Sequence, residues 1–287
     1  ASRGLGDVYK RQAKPVCLNW WYNQIGIPKT LGTVFILFEK QLTPVEKQNA
    51  ITVMENAKFG MTGQNKVWLA GNVMMRALLQ NDYELVKMAR DTIASEIVTG
   101  GAEGIKDDWC FHQHGAQQQF GNYGLSFVSG MSFFSGLFSG TSLAFDDKQL
   151  SILSILIDKG YRWVIWKGMM DVNALGRQLF HHAPVHKALS LAFATSELGG
   201  GESDECMAVA TALLRDNYPA PAVNVFTGHN HFWQSDYTIH RRPSWMASIK
   251  MASDRIIGTE MMNGDNMKGY YMADGATYIY KDGKEYL

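Results

Sequence analysis

Asn217-Tyr218-Pro219-Ala220-Pro221 is the stretch that decides the fold prediction, because the residue pattern differs on its two sides. Proline interrupts helices and strands, so two prolines this close together predict a domain boundary. Before the boundary, apolar residues recur at helical spacing, as in 65–79. After it, 245–251 alternates with a period of two, which is typical of a strand. We therefore predict an α+β chain, with a helical domain at 13–218 and the start of an antiparallel β domain at 222–287.

The first domain contains several predicted helices. Thr43-Pro44-Val45-Glu46 is a start signal, with Thr43 as the N-cap and Glu46 closing a capping box. This helix is predicted to run toward Phe59, and Gly60 and Gly63 interrupt it. Paired helices joined by short loops suit an α/α toroid, although the pattern alone leaves an ordinary helical bundle open. The other predicted helices are 65–79, 82–98, 125–138, 147–166, 184–198 and 203–216.

The two ends of the chain indicate a piece of a longer protein. Residues 1–12 have neither helical nor strand periodicity and no initial Met, so we interpret them as a non-native leader. Near the other end, 278–284 predicts a hairpin with Asp282-Gly283 in a type I′ turn. The chain then stops at 284–287, where a strand would be restarting.

Composition predicts a globular protein without general attraction to polyanions. The chain has 27 Lys and Arg against 27 Asp and Glu, so its formal net charge is zero. Nucleic acid is therefore not an expected partner, and an acidic ligand would have to meet local clusters such as Arg177 with His181 and His182, or Arg241 with Arg242. Residues 110–145 lack Asp, Glu, Lys and Arg, but polar residues interrupt the run throughout, which favours buried helix over a membrane span.

The most informative segment is the loop 107–124, which concentrates His, Gln, Asn and Tyr and has almost no aliphatic residues. We expect such a loop to be unsuited to a core and to be functional. His112 and His114 are spaced as two metal ligands on a strand could be. Only one further loose pair, His229 and His231, follows in the sequence, so we do not expect a metal site.

Four other features have a structural and a functional interpretation. Trp20 and Trp21, on a segment that we interpret as non-helical, could stack on sugar rings or anchor a core. Asn65 could pair with a carboxylate or cap a helix. Arg177 could lie on a solvated helix face or meet an acidic substrate. The run 263–266, Asn-Gly-Asp-Asn, is first of all turn chemistry.

Together these motifs resemble the polysaccharide lyase family that includes chondroitin AC, hyaluronate and xanthan lyases. The resemblance covers nearly everything after residue 15. It implies an α/α toroid followed by antiparallel β-sandwich domains, no cofactor, an acidic polysaccharide as the partner, a monomer, and a secreted or periplasmic location. The motifs that carry it are Asn19-Trp20-Trp21, Phe59 with Asn65, Gln113-His114-Gly115 with Tyr123, Gly176-Arg177, His240-Arg241-Arg242-Pro243, 263–270 and 274–278.

The resemblance also implies a reaction and residue roles. Family members eliminate across C4–C5 of a uronic acid, so the substrate carboxylate must be neutralised while the C5 proton is removed. The implied catalytic residues are Asn65 and His114 at the carboxylate, Tyr123 as base and acid, Arg177 to favour the phenolate, and Glu260 to orient Arg177 and His114. The implied substrate-binding residues are Asn19, Trp20, Trp21, Phe59, His181 and Asn263.

One position departs from the family pattern and keeps alternatives open. His181 stands where the family often has a second arginine, and a histidine carries at most partial charge at neutral pH. We therefore expect weaker binding of carboxylate or sulfate there. A glycan-binding protein without catalysis is one alternative. Another is a glycoside hydrolase that uses two carboxylates, for which the loop offers only Asp107 and Asp108.

Overall fold

The computed structural model describes residues 16–198 and 226–286. The chain divides into two compact units. Of the described residues, unit 1 contains 16–61 and 65–93, and unit 2 contains 62–64, 94–198 and 226–286. The predicted leader 1–12, the helix 203–216 and the boundary 217–221 lie outside the described residues, so the domain bounds stay a prediction.

Unit 1 is helical, as predicted. The capping box is confirmed: Thr43 N–H donates to Glu46 Oε2 at 2.9 Å and Glu46 N–H donates to the Thr43 hydroxyl at 3.3 Å. The prediction that this helix reaches Phe59 was wrong. The helix ends at Met54, and the Asn56 side chain donates to the Val53 carbonyl, an alternative to helical pairing. The helices are α1 (Ile27–Leu37), α2 (Pro44–Met54), α3 (Gly63–Gln80, its first two residues counted with unit 2) and α4 (Tyr83–Ala94, its last residue likewise).

The tryptophan pair begins a helix rather than lying on a non-helical segment, so that prediction was wrong. Residues 20–37 are continuously helical, with a π-helical turn at Tyr22–Gly26. Trp21 packs edge-on against Trp68 at 5.7 Å between ring centroids, beside the buried cluster of Ile25, Ala57 and Leu69. Trp20 is 41% exposed. The core interpretation therefore holds for Trp21 and not for Trp20.

Unit 2 begins with short hairpins and helices. The first hairpin pairs β1 (Gly104–Ile105) with β2 (Phe111–His112), and the second pairs β3 (Ile165–Trp166) with β4 (Met169–Met170). The helix at 125–138 has the predicted bounds, and the one predicted at 147–166 ends in a π-helical turn at Leu156–Tyr161. The helices are α5 (Leu125–Phe138), α6 (Asp147–Ile155) and α7 (Ala183–Glu197).

A four-stranded antiparallel sheet follows in unit 2, which confirms the predicted helix-then-sheet order. Its strands, in the order in which they pair, are β5 (Gly228–Phe232), β6 (Tyr237–Arg242), β7 (Trp245–Lys250) and β8 (Ala276–Tyr280). The predicted hairpin at 278–284 was wrong. Only Gly283 of the proposed turn pair has positive φ, whereas a type I′ turn needs both, and Glu285 instead accepts backbone N–H groups from residues 281–284.

One buried carboxylate joins this sheet to the helical part of unit 2. Asp171 is 0% exposed and accepts hydrogen bonds from the hydroxyls of Tyr237 and Tyr280, the latter at 2.6 Å. These strands therefore supply the donors that a buried carboxylate needs. Burial raises the pKa of Asp171, and the two tyrosine hydrogen bonds oppose that shift.

Arg241 has a structural role here, which corrects the predicted cationic cluster with Arg242. Arg241 is 8% exposed and donates to the carbonyls of Trp163 at 3.0 Å and Ile165 at 2.5 Å. Its guanidinium also lies over the Trp166 ring, 5.2 Å from the centroid. A cation committed in this way is not available to an acidic ligand.

No helix in the described ranges is both long and apolar enough to cross a bilayer.

Candidate active site

The polar loop is part of the core of unit 2, so the expectation that it would be unsuited to a core was wrong. His112, Gln113 and Gln119 are at most 2% exposed, between buried Phe111 and Phe120. The loop can be buried because its backbone is paired: Gln119 N–H donates to the Phe111 carbonyl at 2.8 Å, and His112 forms a bridge with Gln118.

His114 lies in a strained turn of this loop and pairs with Glu260. Its φ is 59° and that of Gly115 is 83°, two successive left-handed residues. The Nδ1 atom lies 2.6 Å from Glu260 Oε2. Because an ionised carboxylate only accepts, Nδ1 carries the hydrogen, and Nε2 is an acceptor in the neutral imidazole.

Arg177 is held by two carboxylates. It forms an ion pair with Glu260 Oε1, and its Nε lies 3.4 Å from Asp265 Oδ2. The side chains of Arg177 and Glu260 are only 8% and 10% exposed. Arg177 is therefore neither on a solvated helix face nor a free cation for an acidic substrate. It neutralises charge within the site.

Glu260 is fixed by the loop that it serves. Its backbone N–H donates to Gln117 Oε1 at 2.9 Å, and Gln119 Nε2 donates to Glu260 Oε1 at 3.4 Å. The Ile257 N–H donates to the Ala116 carbonyl at 2.8 Å. The carboxylate thus bridges His114 and Arg177.

Tyr123 completes the cluster from the π-helical turn Phe120–Gly124. Tyr123 is 8% exposed, and the centroid of its ring lies 4.7 Å from the centroid of the His114 ring. The Arg177 guanidinium carbon lies 5.9 Å from the Tyr123 ring centroid. The structure therefore brings together four of the five predicted catalytic residues: His114, Tyr123, Arg177 and Glu260.

The electrostatics favour a neutral His114. Burial lowers the pKa of His114, the nearby Arg177 lowers it further, and Glu103 opposes the shift. A neutral imidazole whose Nδ1–H is given to Glu260 cannot donate from Nε2 to a substrate carboxylate. This geometry suits proton acceptance by His114 better than the donor role implied by the resemblance.

The remaining catalytic candidate and most of the aromatic ones belong to unit 1. Asn65 is the third residue of α3, so it is not the helix cap, and its buried Oδ1 has no hydrogen-bond partner among the described residues. Asn19 Oδ1 accepts from Trp21 N–H at 3.0 Å. Phe59 is 37% exposed, so its ring is open to solvent.

Two predicted substrate-binding residues of unit 2 lie on its surface. His181 is exposed, with its ring 3.7 Å from that of His182 between centroids. Asn263 is exposed, with φ of 59°, in a turn closed by a bridge between Met262 and Asp265. The turn interpretation of 263–266 is therefore confirmed, and the turn also delivers Asp265 to Arg177.

Among the described residues, this site coincides with neither a group of metal-ligating side chains nor the pocket around Trp109. Within 16–198 and 226–286, no three His, Cys, Asp or Glu side chains are grouped to hold a metal ion. A pocket of about 460 Å³ lies elsewhere in unit 2, lined by Trp109, Trp163, Trp233 and others, and none of the predicted site residues lines it. The site is instead defined by its ion pairs and ring contacts.

His112 should make the fold sensitive to acid. It is 2% exposed, its Nε2 lies 2.9 Å from the Ser235 hydroxyl, and burial lowers its pKa to about 4. The unfolded chain therefore binds the proton more tightly, so stability is lost as pH falls from about 6.5 toward 4, by up to about 3 kcal/mol. Urea unfolding across that range should show a flatter pH dependence for His112→Gln than for the parent. His231→Gln, at an exposed site, is the control, and an unchanged slope in His112→Gln would contradict the assignment.

The helical region followed by an antiparallel sheet, with this cluster, defines the class to which the chain belongs. Residues 3–196 match the N-terminal alpha-helical domain of polysaccharide lyase family 8, and residues 227–287 match the super-sandwich domain of the same family. The chain belongs to polysaccharide lyase family 8.

Proteins that are similar to this chain over most of its length are named as polysaccharide-degrading lyases. The chain is 30% identical to chondroitinase-AC of Pedobacter heparinus over 97% of its own length and 40% of that protein. It is 26% identical to the xanthan lyase of a Bacillus species, over 91% of the chain and 32% of that protein. A solved chondroitinase AC lyase matches with a TM-score of 0.84 and 28% identity, over 97% of this chain and 42% of that one. The chain thus spans less than half the length of these relatives.

Proposed function

We propose that the protein is a lyase that cleaves a uronic-acid-containing polysaccharide by β-elimination and leaves an unsaturated uronyl product. Family membership and the names of the relatives support the reaction class. The observation that carries the proposal is the cluster in which Glu260 bridges His114 and Arg177 beside Tyr123.

The chemistry of elimination requires the parts of this cluster. The C5 proton is weakly acidic because it lies next to a carboxylate, so a positioned base must accept it and an acid must protonate the leaving O4. Tyr123 is proposed for proton transfer, and the accepting Nε2 of His114 lies on the neighbouring ring. Arg177 and Glu260 balance each other's charge in a site with little exposure. This supports a dry, preorganised environment in which fixed charges act strongly.

Chondroitin or hyaluronan is proposed as the substrate type, with a xanthan-type polymer as the alternative within the family. The chondroitinase relative supports the first and the xanthan lyase relative the second. His181, in place of an arginine, supports a preference for lower sulfation, because one cation fewer faces the polymer. Action outside the cytoplasm, where such polymers are met, remains part of the proposal.

A hydrolase is less well supported. Both oxygens of Asp108 are occupied by backbone donors, Cys110 N–H at 3.1 Å and Gln234 N–H at 2.7 Å. That residue therefore has a structural role and does not complete a pair of catalytic carboxylates with Asp107.

The function is tested by incubating the purified protein with chondroitin sulfate, hyaluronan and xanthan in parallel. We expect ultraviolet absorbance from a C4–C5 double bond conjugated to the uronate carboxyl, with new chain ends appearing at the same rate. Shorter chains without that absorbance would indicate a hydrolase. Binding without cleavage would indicate a glycan-binding protein.

A further inference from the structure

A single carboxylate lies behind the strained turn that carries His114. Glu103 Oε1 accepts the Gly115 N–H at 2.9 Å, and Glu103 Oε2 accepts a hydrogen bond from the Gln113 side chain. Glu103 thus holds the residues on both sides of His114. Its position follows from the β1–β2 hairpin, because Gly104 pairs with His112 and the next register position sets Glu103 opposite Gln113.

The same carboxylate is anchored on its other side. The Thr62 hydroxyl donates to Glu103 Oε2 at 2.5 Å. Gln113 in turn accepts the Gln64 N–H at 2.9 Å through its Oε1 atom. Gln113 is 1% exposed, so this end of the network is buried, whereas Thr62 and Gly115 lie at the surface. A network of this kind can hold a backbone conformation that the sequence alone would not favour, because left-handed φ is costly for a histidine.

We propose that Glu103 is a positioning residue, whose carboxylate fixes the Gln113–Gly115 turn and so places the His114 imidazole against Tyr123 and Glu260. The inference rests on the proposed function only in that it assigns His114 to the reacting centre. Glu103 touches the turn and not the reacting atoms, so its effect on catalysis acts through His114.

The charges that face His114 predict a second, independent signature. Glu260 pairs with Nδ1, Arg177 lies on the far side of Glu260, Tyr123 packs edge-on, and Glu103 lies behind the turn. Among these, Glu103 raises the pKa of His114 against burial and Arg177. Removing its charge should therefore move the His114 titration to lower pH.

The experiment compares Glu103→Gln and Glu103→Asp with the parent. Glu84→Gln serves as the control because Glu84 is exposed and pairs with Lys87 at the surface. A glutamine has one accepting oxygen where glutamate has two, so at least one donor of the turn loses its acceptor. We expect kcat on chondroitin to fall by about 10- to 100-fold in Glu103→Gln, with a smaller change in KM, since a displacement of about 1 Å has that effect. Glu103→Asp should recover part of the loss.

A double-mutant comparison separates positioning from a general structural role. In a His114→Ala background, Glu103→Gln should change kcat by less than about twofold, because the two residues act as one unit. An equal loss in both backgrounds, or full activity in Glu103→Gln, would overturn the proposal.

A titration of the histidine rings by NMR gives a result that does not depend on activity. The His114 resonance should titrate at lower pH in Glu103→Gln than in the parent, and an unchanged midpoint would overturn the electrostatic part of the proposal. If the parent cleaves no polymer at all, the proposed function fails. The titration still tests Glu103 in that case.

Discussion

Tyr123→Phe should lower turnover by about 10³-fold and leave the fold unchanged, because the substitution removes only the hydroxyl that is proposed to transfer protons. The ring is 8% exposed and packs against His114, and phenylalanine keeps that packing. Substrate binding should change little, since the loss lies in the transition state and not in the ground state. Turnover is measured by product absorbance on chondroitin, and the melting temperature checks the fold.

Tyr83→Phe is the matched control, since Tyr83 is 53% exposed in α4 and belongs to unit 1. It should leave turnover as it is. If Tyr123→Phe retained near-parent turnover, the proton acceptor would be elsewhere, and the accepting Nε2 of His114 would be the first group to test. If the melting temperature of Tyr123→Phe fell markedly together with its turnover, the hydroxyl would instead have a structural role.

Glu260→Gln should have the second-largest effect, on both activity and stability. The substitution keeps the shape of the side chain but removes the charge that pairs with Arg177 and accepts from His114. Arg177 and Glu260 are both largely buried, and removing one partner of a buried ion pair costs about 3 kcal/mol. We expect turnover to fall by about 10²-fold or more, because the orientation of His114 and the charge balance around Arg177 change together.

Asp265→Asn provides the comparison that makes this result specific. Asp265 also pairs with Arg177, at 3.4 Å, but its side chain is 48% exposed. Its loss should therefore reduce stability by no more than about 1 kcal/mol. Chemical denaturation of the two variants should rank Glu260→Gln well below Asp265→Asn. The reverse order would show that Glu260 is not the central carboxylate of the cluster.

The helices and their starts could be predicted because their signals are local. Thr43 and Glu46 form the predicted capping box, and the helix at 125–138 has the predicted bounds. Helix ends were less predictable. The end at Met54 depends on the Asn56 side chain competing for the Val53 carbonyl, which apolar periodicity does not report.

Strands β5 and β6 were missed although β6 carries a signal. Tyr237, Ile239 and Arg241 are buried in alternation with Thr238 and His240. The buried arginine disguises the pattern, because a charged residue at a core position looks polar in sequence. Arg241 can be buried because its guanidinium donates hydrogen bonds to the carbonyls of Trp163 and Ile165, which are distant in sequence.

The candidate site came mainly from the family resemblance and not from the local pattern. The loop 107–124 was recognised as polar, but its burial was not, because the backbone and side-chain partners that bury it are far away in sequence. The neutral state of His114 and the double pairing of Arg177 depend equally on such distant residues. Glu103 was missed altogether. The sequence offered one signal for it: Glu103 is a carboxylate that directly precedes the short strand β1, and β1 leads into the loop 107–124.

The buried carboxylate of Asp171 limits how this architecture can be recombined. Its two phenol donors come from β6 and β8, while Asp171 itself belongs to the segment that follows β4. A sheet borrowed from another protein would arrive without those two hydroxyls, and the buried carboxylate of Asp171 would lose two of its hydrogen-bond donors. The cluster around Glu260 has the same division, with Glu260 in the segment between β7 and β8 and with His114, Tyr123 and Arg177 in the region before the sheet. The helical region and the sheet are therefore not interchangeable modules, and a functional chimera must inherit both sides of each pairing together.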